Sequence, residues 1–160
     1  MVGTGNFSLR TLMVVIVAIA INLAILIPLV YRSVRMQRSV ECTSNLRVLW
    51  QASLLPWDGV PFGDLGSARF LDLQLGDRQW HDYRLFTCPY SNDPLEAGRT
   101  SYRGPAMSTN SMKDGDPVAA DKEGNHGAGR GGTVLNKAGD CFEVQATDPA
   151  WIRARTTTRE

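Results

Sequence analysis

A chain of 160 residues, 43% hydrophobic and 21% charged, has room for one modest domain beside its N-terminal segment, which argues against a two-domain enzyme. Its formal net charge of +1 gives no broad basic field of the kind that holds nucleic acid through its phosphates. Nucleic acid is therefore not expected as a partner.

The apolar residues concentrate near the N-terminus. Leu12 to Tyr31 contains only Asn22 as a strongly polar side chain, and a helix of that length spans roughly 30 Å, the thickness of a bilayer core. The run is too long for a secretory signal peptide, and no Lys or Arg stands in the residues before Arg10. The reading is a retained transmembrane helix over residues 7–31, in contact with the lipid bilayer. Asn22 and Pro28 lie inside the span, and each leaves a polar group that a neighbouring helix can satisfy. They are the candidate helix contacts in the membrane, although an Asn can also bond to its own backbone. Arg32, Arg35 and Arg38 follow the span while Arg10 alone precedes it, which by the positive-inside rule alone puts the C-terminal part in the cytoplasm.

Beyond the span the helical period continues. Cys42, Leu46, Leu49, Trp50 and Ser53 share a face, so the extramembrane half of the helix, residues 32–55, needs a cover for its apolar stripe. Pro56 and the Trp-Asp-Gly after it are expected to end the helix. Residues 56–150 then read as a small β domain whose antiparallel sheet packs on that stripe. Expected strands are Phe70–Leu75, Arg84–Thr87, Ser101–Arg103, Val118–Ala120, Thr133–Asn136 and Cys141–Gln145. The last two form a hairpin around Lys-Ala-Gly, with Gly139 free to take positive φ. A long Gly-, Asp- and Asn-rich loop occupies Ser108 to Gly132, and residues 151–160 read as a polar, frayed tail. The fold class is thus α+β.

Chemistry is sparse. No GxSxG nucleophile signature is present, and the histidines are His81 and His126. His126 with Asp121 is the one candidate base and orienting partner. Asp114, Asp116 and Asp121 are candidate calcium ligands, without the EF-hand spacing. Cys42, Cys88 and Cys141 lack a CxxC or a His at metal-ligand spacing, so no zinc site is expected. A disulfide plus one thiol is expected instead, with Cys42 and Cys88 as the leading pair, Cys141 as the alternative partner and buried free thiols as the other arrangement.

Four stretches together resemble the type IV pilin and type II secretion pseudopilin superfamily, closest to prepilin-like proteins with a C-terminal His-x(9)-Asp-Gly domain. "FSLRT" supplies Phe7, Ser8 and Leu9 of the opening pattern, and Pro28 falls where that helix carries its proline. "SVECTSNLRVLWQA" is similar to the family's Cys-x-x-Asn-Leu-Arg stretch through Cys42, Asn45, Leu46, Arg47, Leu49 and Ala52. "LFTCPYSND" is similar through Cys88, Pro89 and Asp93, and "ADKEGNHGAGRGGTVLNKAGD" through Asp121, Asn125, His126, Val134, Leu135 and Gly139. Asn6 stands where the family's processing Gly would be, Thr11 where its filament-registering Glu would be, and Ala138-Gly139 replaces the final Asp-Gly.

The resemblance implies a pilin-like fold, with residues 1–6 as a short cytoplasmic leader, uncleaved for want of the Gly. It further implies a single-pass inner-membrane protein whose C-terminal domain lies outside the cytoplasm. The expected function is a non-enzymatic structural subunit of a respiratory, photosynthetic or transport complex, with membrane proteins as partners and no cofactor or small-molecule substrate. A minor pseudopilin is the alternative, and a periplasmic binding or catalytic module using Asp121 and His126 is the second.

Overall fold

The computed structural model describes residues 8–54, 66–75, 82–127 and 129–160. The leader, the Pro56 helix stop and His81 lie outside the described residues. Two compact units are distinguished, residues 1–37 and residues 38–160.

One α-helix, α1, runs from Leu9 to Leu54. From Leu12 to Tyr31 it is apolar on every side: Met13, Val14, Ile16, Ile21, Leu23 and Ile27 are all at least half exposed. A helix that is apolar all round cannot be the amphipathic helix of a soluble surface, and α1 is long and apolar enough to cross a membrane once. Pro28 lies within the helix without ending it. The Asn22 side-chain amide donates to the Ala18 carbonyl at 2.7 Å, so this polar group is met by its own helix.

In the second unit the character of α1 changes from all-round to one-sided. Cys42, Asn45, Leu46, Leu49, Trp50, Ala52 and Ser53 are buried, while Glu41, Ser44, Arg47 and Gln51 are exposed. The expected stripe is therefore the core face. It packs in one cluster with Phe70, Phe86, Tyr102, Val118, Ala119 and Leu135.

The sheet has five strands, β1 (Tyr102–Pro105), β2 (Pro117–Asp121), β3 (Gly132–Asn136), β4 (Cys141–Val144) and β5 (Thr158–Arg159). Its spatial order is β4-β3-β2-β1-β5, and all pairings are antiparallel. The first four strands form a meander, and β5 returns to the free edge of β1. Expected strands at 101–103, 118–120, 133–136 and 141–145 correspond to β1 to β4. The β3–β4 hairpin turns at Gly139, whose φ of +95° is the left-handed value that its lack of a Cβ permits.

Alternation places neighbouring residues of one strand on opposite faces. Ala119 pairs with Leu135 on the α1 side, whereas Ala120 pairs with Val134 on the other. Ala120 and Val134 pack with Trp151 and Ala154 of a second helix layer, α3 (Pro149–Thr157). The sheet is covered on both faces, which is why all five residues of β2 are buried.

Three expectations are corrected. Phe70–Leu75 is not a strand but part of α2 (Ala68–Leu75). The Leu71, Leu73, Leu75 alternation imitates a strand, but the buried set is Phe70, Leu73 and Gln74, at helical spacing. The segment also has no β-branched residue to resist a helix. Tyr83–Phe86 is a 3-10 turn instead of a strand, opened by Asp82, whose carboxylate accepts from the Arg84 N–H at 3.2 Å. The frayed tail is structured: Asp148 accepts the Ala150 N–H at 2.8 Å as N-cap, Pro149 takes the first turn, and α3 leads straight into β5.

Candidate functional site: a buried cysteine, aspartate and histidine cluster

Four chain segments meet on the α1 side of the sheet. The extramembrane half of α1 supplies Cys42, the residues after the 3-10 turn supply Cys88, the last residue of β2 is Asp121, and the turn beyond β2 carries His126. One ligand atom from each lies within 4.8 Å of the others. Cys42 and Cys88 are thiols here, with sulfurs 3.3 Å apart.

Sheet register explains the convergence. Tyr102 pairs with Asp121, and Thr133 pairs with Glu143. One residue beyond the Ala120 and Val134 pair, Asp121 meets Thr133. Four polar side chains thus form a row across the sheet, all on the face that Cys42 covers. Gly132 admits this packing, because a Cβ there would lie 2.9 Å from the Trp151 ring and 3.0 Å from the Asp121 Cβ. His126 is set by its neighbour Asn125, whose side-chain amide donates to the Ser101 carbonyl at 2.8 Å. The Tyr90 ring covers the imidazole with centroids 4.2 Å apart.

Polar partners saturate the cluster. His126 Nε2 lies 2.8 Å from Asp121 Oδ2 and 3.6 Å from Cys88 Sγ, while Nδ1 faces Glu143 Oε1 at 3.4 Å. The Cys42 thiol lies 3.3 Å from Asp121 Oδ1. Asp121 Oδ2 also accepts the Thr133 N–H at 2.6 Å. Two hydroxyls point at Cys42 Sγ, that of Thr133 at 3.3 Å and that of Tyr102 at 3.7 Å.

The electrostatics follow from these contacts. Cys88 as a hydrogen-bond partner, burial and the charge of Asp121 all push the Cys42 thiol far up, so it holds its proton. Burial alone would lower His126, but its hydrogen bonds to Asp121 and Cys42 and the negative charge of Asp121 raise it above its ordinary value, so it stands as imidazolium against Asp121. Cys141, on the same face but outside the group, is pushed up to about 12, chiefly by burial.

Among the site residues read from the sequence, Cys42, Cys88, Asp121 and His126 come together. The three calcium candidates do not. Asp116 directly precedes β2 and Asp121 is its last residue, roughly 16 Å apart by strand rise. Asp116 accepts the Lys113 N–H at 2.8 Å and faces Arg153 at 3.8 Å, and Asp114 is exposed in the turn before it. Spacing along the chain argued against a transition-metal donor set, yet the fold supplies the proximity that spacing lacks. The missed partners were Thr133, Tyr102 and Glu143. Their signal was the strand alternation itself, which puts Thr133 two residues from the core residue Leu135 on the same face.

With 0% of Asp121 and 8% of His126 exposed to solvent, the group is an interior polar core. Comparison with family models, curated proteins and solved structures finds no match for this chain.

Proposed function

We propose that this chain is a non-enzymatic, single-span structural subunit that anchors and stabilises a multi-protein membrane complex, pilin-like in design, with its sheet domain on the extracytoplasmic side of the inner membrane. The observation that carries the reading is the division of α1. From Leu12 to Tyr31 the helix offers apolar side chains on all sides, while from Cys42 onward one face is core to a small sheet. Such a helix serves as anchor and as scaffold for the domain at once.

Asn22 and Pro28 are the helix contacts in this reading. The amide of Asn22 is committed to Ala18, which leaves its carbonyl oxygen for a neighbouring helix. Pro28 has no N–H to give the Ala24 carbonyl, a second acceptor at the same depth. In the sheet domain, partner contact falls to the exposed residues at 113–115, 123–124 and 129–130, since β2 between them is interior. A catalytic role for Asp121 and His126 is disfavoured by the engagement of both imidazole nitrogens and by the burial of the group.

Intact mass of the native protein separates this reading from a processed pseudopilin. The anchor reading expects residues before Phe7 to be retained, because Asn6 and Thr11 stand where processing and filament registration need Gly and Glu. A mature chain beginning at Phe7 would contradict it.

A further inference from the structure

We propose that Cys42, Cys88, Asp121 and His126 form a closed, tetrahedral site for a zinc-class divalent cation that ties α1 to the sheet. The inference rests on the cluster geometry alone and is independent of the anchoring role.

Zinc binds thiolate sulfur at about 2.3 Å and imidazole nitrogen or carboxylate oxygen at about 2.0–2.2 Å, so a tetrahedron of these donors has edges of roughly 3.3–3.8 Å. With Oδ2 as the Asp121 donor, Cys42 to Cys88 is 3.3 Å, Cys42 to Asp121 is 3.5 Å and Cys88 to His126 is 3.6 Å. The short edge, 2.8 Å between His126 Nε2 and Asp121 Oδ2, is the one a shared proton closes. A cation taking the place of that proton opens it by about half an ångström. Two sulfurs and an imidazole select a borderline-soft cation over calcium or magnesium, which require oxygen ligands.

The groups behind the donors match what a metal centre needs. A ligating histidine characteristically gives its other ring N–H to a carboxylate, and Glu143 stands at Nδ1, itself held by the Ser39 hydroxyl at 2.7 Å. A thiolate needs donors, and the hydroxyls of Thr133 and Tyr102 are directed at Cys42 Sγ. The carboxylate is oriented by the Thr133 N–H. All four positions of the tetrahedron belong to the protein, so the site is structural and leaves no coordination position for a substrate. Thiolate, neutral imidazole and carboxylate are the ligating forms, so metal uptake is favoured as pH rises.

The test uses the full chain in detergent, stripped by chelator under reducing conditions and titrated with Co2+ and then Zn2+. Expected are the visible bands of tetrahedral cobalt and a near-ultraviolet sulfur-to-cobalt transition, saturating at one equivalent and abolished by Zn2+. Cys141→Ser should titrate as the parent does, Cys42→Ser should weaken the sulfur transition, and Cys42→Ser combined with Cys88→Ser should abolish it. Glu143→Ala, at a partly exposed position, should fold and bind roughly 10- to 100-fold more weakly. Absence of tetrahedral cobalt at one equivalent in the parent chain would overturn the site. So would a Cys42–Cys88 disulfide, without bound metal, in protein isolated from its membrane.

Discussion

Asp121→Ala lowers the unfolding free energy of the sheet domain by about 3–5 kcal/mol, the cost of breaking a buried charge pair by removing one partner. Asp121 is fully buried, and its carboxylate meets the His126 imidazolium at 2.8 Å and the Thr133 N–H at 2.6 Å. Its loss removes the carboxylate that holds the His126 proton and leaves the Thr133 N–H without its acceptor. Asp121→Asn retains an acceptor for Thr133 and removes only the charge, so its loss is smaller. Denaturant unfolding of the full chain in detergent, followed by tryptophan fluorescence, measures both. Equal midpoints for Asp121→Ala and the parent would mean that the pair contributes nothing.

Leu46→Ala costs about 2–5 kcal/mol in the same assay, the range for deleting a fully buried leucine and leaving a cavity. Leu46 has no exposed surface and sits where α1 meets Phe70, Phe86 and the sheet. Leu46→Met, which conserves volume, costs less than about 1.5 kcal/mol. Leu23 lies on the same helix but is half exposed in the first unit, so Leu23→Ala leaves the domain midpoint unchanged. Equal losses at positions 23 and 46 would contradict the division of α1 into an anchoring part and a core part.

The two-part helix is readable from the chain because its pattern changes visibly. Leu12 to Tyr31 is apolar without period, and Cys42 to Ser53 is apolar with one. The meander is readable because its strands alternate and its turns carry glycine. The elements that escape the sequence are those in which local pattern and tertiary packing diverge. Leu71, Leu73 and Leu75 alternate like a strand, yet the core takes Phe70 and Leu73 from one helical face. "RARTTTRE" is polar enough to read as a tail, but Trp151 and Ala154 are enough to seal α3 against the sheet, and Asp148 and Pro149 start the helix where they stand.

The cluster is harder to read for a topological reason. Residues 42, 88, 121 and 126 belong to a helix, a turn, a strand end and a loop, and only His126 lies near another of them in sequence. Their meeting depends on the register that sets Asp121 beside Thr133 and on the rotation of α1 that turns Cys42 inward. Neither quantity is encoded locally, so spacing rules designed for single-segment metal motifs pass over it.

The most direct measurement of the anchoring role is the native mass of the assembly isolated from its own membrane in mild detergent. The expected result is the chain in fixed stoichiometry with other membrane polypeptides, and a charged substitution beside Asn22, for example Leu26→Arg, should release it from those partners. Recovery of the chain alone, with no other polypeptide at stoichiometric amount, would contradict that role.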